Sequence, residues 1–179
     1  EFFPSLRKTT PVRTTEEHFR FLKEKRMPML KKWLAHRYEY ILIDCPPSVP
    51  WQVHFFLSVA DALVIPTSPT YLSVRGVRYL GDKLDRMRLS RIKTLGTLWP
   101  MVQSHSSHTK IMSEADVPTP FQTRIPHSTK VTEAMSDEKR PKTFAAKYPA
   151  PIGETIHELC REIQTRMILP VSGNAVVGV

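Results

Sequence analysis

Two hydrophobic patterns alternate along this chain. The first is the short continuous apolar run. Tyr40-Ile41-Leu42-Ile43 is rich in aromatic and β-branched residues and is followed closely by Pro46 and Pro47. Ala62-Leu63-Val64-Ile65-Pro66 is a second run, Ile92 to Val102 a third, and Gln122 to Ile125 a short fourth. Proline lacks the N–H that a ladder needs, and a run apolar on both faces suits a strand covered on both sides, as in a parallel sheet. The pattern therefore predicts buried parallel strands, with Ile41–Ile43 and Leu63–Ile65 neighbours or near neighbours. Phe2-Phe3 is a candidate edge strand.

The second pattern has the helical period. Thr14 and Glu17 have the spacing of a capping box ahead of Phe19, Leu22, Leu30 and Trp33, and Pro28 is expected to kink or split that helix. Val49 to Ala60 reads as a second helix. Tyr71 to Met87 reads as a third, with Leu72, Val77, Leu80, Leu84 and Met87 toward the core. Ser128 is placed to cap a short helix through Met135. Pro151 opens a last one, whose stripe is Ile152, Ile156, Leu159, Ile163 and Met167. Strands alternating with helices predict a three-layer α/β fold. The chain reads as one domain over residues 1–169 with a flexible tail, 170–179.

Composition narrows the class. With 41% hydrophobic residues in 179, the chain can bury a core and is not of the disordered type. No apolar run approaches the roughly 20 residues a membrane-spanning helix needs, so no membrane role is expected. The opening EFFPSLRKTT lacks a signal-peptide layout. Two cysteines far apart, Cys45 and Cys160, suit a reduced cytoplasmic protein better than a disulfide scaffold. Twenty-six basic against 17 acidic residues leave +9, which favours polyanionic partners.

Two constellations carry candidate chemistry. In an open parallel sheet, ligands bind beyond the carboxyl ends of the strands. Asp44 follows Ile41–Ile43, where a carboxylate can hold a Mg²⁺-bound water or simply cap the next turn. The second constellation is Arg75, Arg78, Lys83, Arg86, Arg88, Arg91 and Lys93, seven cations over one helix and its exit, against Asp82 and Asp85. Such a stretch is a solvated helix face or a phosphate-tracking surface. Arg124, Lys130, Lys139, Arg140 and Lys142 form a rival patch. His105 and His108 have metal-like spacing, but the stretch Gln103 to Thr109 reads better as a polar loop. Trp33, Trp51 and Trp99 read as packing residues, and Cys45 as a small buried residue after a strand.

The string YEYILIDCPPS resembles the Walker B segment of the ParA/MinD family of deviant Walker ATPases. Asp61-Ala62-Leu63-Val64-Ile65-Pro66 with Leu72, Gly76 and Leu80, then Thr94-Leu95-Gly96 with Met101, are similar to further motifs of that family. So are Phe121-Gln122-Thr123-Arg124-Ile125-Pro126, Glu133-Ala134 and Pro141. The resemblance runs over about residues 15–168, and ordered motifs at family-like spacing are a specific signal. It implies a Rossmann-like P-loop NTPase core, a mostly parallel sheet flanked by helices, without its P-loop strand and loop. The six glycines are scattered and no Gly-Lys-Thr occurs, so the chain alone is not expected to turn over ATP. Where the family usually has other residues, Thr70, Pro100 and Gln103 stand here.

By the same resemblance the complete protein binds ATP and Mg²⁺. Asp44 would be the catalytic residue and would hold the metal through water. Pro46, Pro47, Pro100, Met101, Ile125 and Pro126 would line the nucleotide. The family also implies a nucleotide-dependent homodimer, nonspecific DNA binding and a centromere-binding ParB-like partner. Its place would be the cytoplasm, on the nucleoid, and its task the segregation of plasmid or chromosome DNA. Arg75, Arg78, Arg86, Arg88, Arg91 and Lys93 would meet the DNA. A non-catalytic binding module that kept the fold, and a MinD-like positioning ATPase, are the alternatives. The mixed charge of the last helix, Arg161 and Arg166 among Glu154, Glu158 and Glu162, disfavours a lipid-binding helix.

Overall fold

A computed structural model describes residues 17, 20–45, 51–87, 89, 92–104, 106–136 and 143–168. Phe2-Phe3, Thr14, Phe19, Pro46, Pro47, Arg88, Arg91, His105, Lys139, Arg140, Pro141, Lys142 and the tail 170–179 lie outside the described residues. The chain falls into two compact units, residues 1–60 and 61–179.

In the first unit a π-helical turn, Leu22–Arg26, runs into helix α1, Met27–Ala35. The Met27 N–H donates to the Leu22 carbonyl, five residues back, and Pro28 sits in the first turn of α1. Proline has no N–H to give the carbonyl four residues before it and its ring crowds that carbonyl, and the helix changes type at this point. The split expected at Pro28 takes this form. Met27 is buried, and the Arg37 guanidinium lies 4.4 Å from the Trp33 ring centre just after the helix ends. Helix α2, Trp51–Leu57, buries Val53, Phe55 and Leu57.

The strand expected at Tyr40–Ile43 is not formed. Residues 40–45 carry no regular secondary structure and are exposed, Leu42 to 96%. A parallel strand needs a ladder partner and cover on both faces. The apolar run supplies the propensity, but among the described residues no strand pairs with it.

The second unit holds a parallel sheet of three strands in the order β1 (Ala62–Pro66), β2 (Lys93–Val102), β3 (Arg124–Pro126). Helix α3, Tyr71–Arg86, connects β1 to β2, and α4, Ser106–Glu114, connects β2 to β3. Helices α5 (Thr129–Ser136), α6 (Phe144–Lys147) and α7 (Ile152–Ile168) follow. β1 and β2 occupy the apolar runs that predicted them, whereas β3 begins at Arg124, two residues later than the expected Gln122 to Ile125. Val74 of α3, Trp99 of β2 and Ile111 of α4 form the core cluster, with Val102, Met112, Ala115 and Val117 packed against it. Of the stretch expected as a polar loop, Gln103 to Thr109, residues Ser106 to Thr109 instead form the start of α4, a core helix that contributes only Ile111 and Met112 as large apolar residues. On α3 the Thr70 hydroxyl accepts the Ser73 N–H at 3.2 Å and caps the helix. Val74, Val77 and Leu84 are its buried positions, whereas Leu72 faces outward. Five residues separate Leu72 from Val77, which places the two on different sides of a 3.6-residue helix.

Two bulges shape β2. Leu63 pairs with Thr94 and Val64 with Gly96, so β2 carries an extra residue against β1. Gly96 has φ +138°, and a Cβ there would overlap the Thr119 carbonyl oxygen and crowd the Arg166 guanidinium. Only glycine meets both demands. Farther along, Trp99 pairs with Arg124 and Val102 with Pro126, so Pro100 and Met101 together oppose Ile125. Met101 takes the left-handed conformation there, φ 55°. Gly96→Ala is expected to destabilise the protein by roughly 2–4 kcal/mol, from backbone strain plus a carbonyl that must move. Denaturant unfolding measures this, and an unchanged midpoint would contradict the account.

Candidate functional site at the carboxyl edge of the sheet

The site is built from α7 upward. Arg166 Nη1 donates to the carbonyls of Leu95 and Thr119, each at 2.7 Å. Its Nη2 donates to the Pro120 carbonyl at 2.8 Å and to Glu162 Oε1 at 2.7 Å. The guanidinium lies over the Phe121 ring, 4.1 Å from its centre. The Glu162 carboxylate in turn accepts the N–H groups of Gln122 and Thr123, both at 2.9 Å. One i,i+4 pair thereby satisfies three carbonyls and two N–H groups that would otherwise be left to solvent at a sheet margin.

Residues 118–121 run beside β2 without being a strand. The Thr97 N–H donates to Pro118 O at 3.0 Å, and the Phe121 N–H to Thr97 O at 2.8 Å. At Arg124 the segment becomes β3, and the His127 N–H reaches Val102 O at 2.9 Å beyond it. Burial pushes the Glu162 carboxyl up. Hydrogen bonds from the backbone of Thr123 and Gln122, the Thr123 hydroxyl and Arg166 outweigh that and hold it below the usual glutamate range.

This scaffold ends in the second bulge. Pro100, Met101, Ile125 and Pro126, four of the residues expected to line a nucleotide, stand together at the carboxyl ends of β2 and β3. Pro100 and Ile125 are half-buried, Met101 and Pro126 exposed. His108 Nδ1 accepts the Gln103 N–H at 3.1 Å, a structural use of a residue with metal-like spacing. Among the described residues no group of three His, Cys, Asp or Glu is placed to hold a metal ion.

The other expected site residues divide between the two units. Asp44, expected at the carboxyl end of a strand, lies in the first unit, exposed in the segment without regular structure, and Cys45 beside it, expected to be buried, is exposed because no strand forms there to carry it into a core. Desolvation, and then the Asp44 charge, push the Cys45 thiol up and away from reactivity. Pro46 and Pro47 are outside the described residues. Arg75, Arg78 and Arg86 are exposed on α3, spaced to share one stripe with Asp82. Arg78 meets Asp116 at 3.8 Å, an exposed pair of little energetic weight. Lys93 is turned elsewhere. Its ammonium donates to the Met167 carbonyl at 2.8 Å and caps the end of α7. In the rival patch Lys130 pairs with Glu133 at 2.8 Å.

Glu162 and Arg166 were legible only as mixed charge on the last helix. The signal was present in their four-residue spacing and their places beside Leu159 and Ile163 of the apolar stripe.

A family model described as an AAA domain matches residues 11–96. An uncharacterized protein of Pseudomonas putida is 31% identical over 122 residues, 64% of this chain and 46% of its own length. A ParA family protein of Mycoplasma genitalium is 35% identical over 57 residues, 32% of this chain and 21% of its own. The chromosome partitioning protein ParA of Myxococcus xanthus is 32% identical over 77 residues, 41% of this chain and 27% of its own. Each of these matches spans less than half of the relative's length. A parallel sheet with helical crossovers places the second unit in the α/β class to which Rossmann-like P-loop NTPases belong. Within that class the chain is related to the ParA-type ATPases. Among the described residues no helix is long and apolar enough to cross a membrane.

Because its carboxyl is held below the usual range, Glu162 contributes stability that is complete above the ordinary glutamate value and is lost as pH falls through the lowered one. The stability gap between the wild type and Glu162→Gln should therefore be wide at neutral pH and narrow on acidification through that window. Urea unfolding at a series of pH values checks this. A gap independent of pH would mean that the carboxylate charge does not hold Gln122 and Thr123.

Proposed function

We propose that this chain is the Walker B-side part of a ParA-like ATPase, which binds ATP and Mg²⁺, pairs as a nucleotide-dependent homodimer and coats DNA without regard to sequence. The observation that carries the reading is the second bulge. It sets Pro100 and a strained Met101 against Ile125 and Pro126 at a carboxyl edge, where α/β sheets bind ligands. Backbone strain concentrates at functional sites. Half-buried proline and isoleucine with an exposed methionine fit a flat, mostly apolar ring such as a nucleotide base. Asp44 would hold the Mg²⁺-bound water, with Pro46 and Pro47 beside it. Bound nucleotide supplies the triphosphate, and the residues of this chain would supply its orientation.

The chromosome partitioning name of the Myxococcus xanthus relative supports a segregation role, on plasmid or chromosome, in the cytoplasm and on the nucleoid. A ParB-like centromere-binding partner would then reset the switch. For DNA the face is α3, where Arg75, Arg78 and Arg86 are exposed, followed in sequence by Arg88 and Arg91. The engagement of Lys93 with α7 leaves it a smaller part in DNA contact.

Each phosphate neutralised contributes about −0.9 to the slope of log affinity against log salt. Three working contacts give a slope of about −2.7 for random duplex, by the same relation. The double reversal Arg75→Glu with Arg86→Glu should weaken binding and flatten that slope by about two contacts' worth. Fluorescence anisotropy across a salt series checks this, and an equal affinity and slope in the variant would show α3 to be a solvated face.

A further inference from the structure

The outer face of α3 carries more than charge. Tyr71 is 63% exposed, Leu72 80% and Tyr79 62%, on the same helix that presents Arg75, Arg78 and Arg86. With Val74, Val77 and Leu84 buried, helical spacing puts Tyr71, Arg75, Arg78, Tyr79 and Arg86 on the side away from the core. The helix thus alternates aromatic rings with guanidinium groups. Near its end Tyr79, Asp82, Lys83, Arg86 and Met87 line a shallow cleft of about 230 Å³. The Lys83 ammonium lies 5.6 Å from the Tyr79 ring centre. Lys83 and Arg86 against Asp82 leave this cleft with a net positive charge.

A surface that only tracked duplex phosphates would need the cations and gain nothing from the rings. In a duplex the base faces are stacked on one another and closed to a tyrosine. An unpaired strand supplies both requirements, a phosphate for the cations and an open π-face for the ring. We infer that the Tyr79 cleft on α3 binds an unpaired nucleobase of single-stranded nucleic acid, with Lys83 and Arg86 on the adjoining phosphates. This rests on the DNA reading above and narrows its substrate to include locally opened strands. Tyr79 supplies the stacking face and Met87 the apolar end of the cleft. Asp82 can accept from an exocyclic amine where the base carries one.

The test compares a labelled oligo-dT 20-mer, the matching oligo-U and a random 20-base-pair duplex, titrated with the full 179-residue chain at one salt concentration. Tyr79 is largely exposed, so its replacement is not expected to disturb the core. Tyr79→Ala should weaken binding of both single strands about tenfold, the effect of losing one base–aromatic stack, and leave the duplex unchanged. Tyr79→Phe, which keeps the ring, should bind like the wild type. If Tyr79→Ala weakens no probe, or all three equally, the stacking site is wrong while the phosphate-binding reading stands. If the wild type binds the duplex but neither single strand, the inference also falls alone. If the wild type binds none of the three, the inference falls, and an acidic protein partner becomes the occupant to seek for this face, while duplex binding by the nucleotide-bound dimer is judged by the salt series above.

Discussion

The second unit hangs on the pair formed by Glu162 and Arg166. Their side chains are only 16% and 17% exposed, and they meet at 2.7 Å. An isolated exposed pair of this kind would contribute about 0.3–0.5 kcal/mol. Here the value lies in what the pair holds. Arg166 donates to three carbonyls on two separate segments, and Glu162 accepts two consecutive N–H groups. Leaving a partly buried polar group without its partner costs about 1–3 kcal/mol. Loss of either member would therefore strand several groups at once, and the segment 118–123 would lose its attachment to α7.

That attachment explains the two irregularities of β2. The first bulge turns the Leu95 carbonyl to Arg166 and demands glycine at position 96. The second lies farther along the same strand, where β3 is only Arg124–Pro126. A three-residue strand has few ladder bonds of its own, and it keeps its register because the residues just before it are clasped and His127 is bonded just after it. The left-handed Met101 lies within that second bulge, and such conformations persist where the surrounding structure fixes the backbone. The link from sequence to site thus passes through α7, the last helix of the described residues.

Much of this was legible beforehand, for identifiable reasons. β1 and β2 are continuous apolar runs, and such runs announce parallel strands without help from their surroundings. The stripes of α3 and α7 are local, so apart from Leu72 they too could be read. Tyr40–Ile43 has the same local signal as β1, yet it forms no strand, because pairing is a property of two segments and a run specifies one. Helix α4 was hidden because two large apolar side chains suffice where Trp99 fills the space beside them. Leu72 was misassigned by five positions' worth of helical phase. Pro100, Met101, Ile125 and Pro126 were named from a resemblance, and the bulge that gathers them leaves no mark in composition. Glu162 and Arg166 were visible as a charge pair, but their partners are backbone groups, which every residue carries and no sequence singles out.

The central claim is that the bulged carboxyl edge of β2 and β3 receives a nucleotide base. The most direct measurement is an NMR titration of the chain with ATP, following backbone amides, since weak binding by a base wall alone still moves resonances. The account predicts saturable shifts confined to Met101, Val102, Ile125 and His127, with Leu95 to Thr97 at the clasped end unmoved. Shifts centred on the clasp or on α3, or no shifts at millimolar nucleotide, would contradict it.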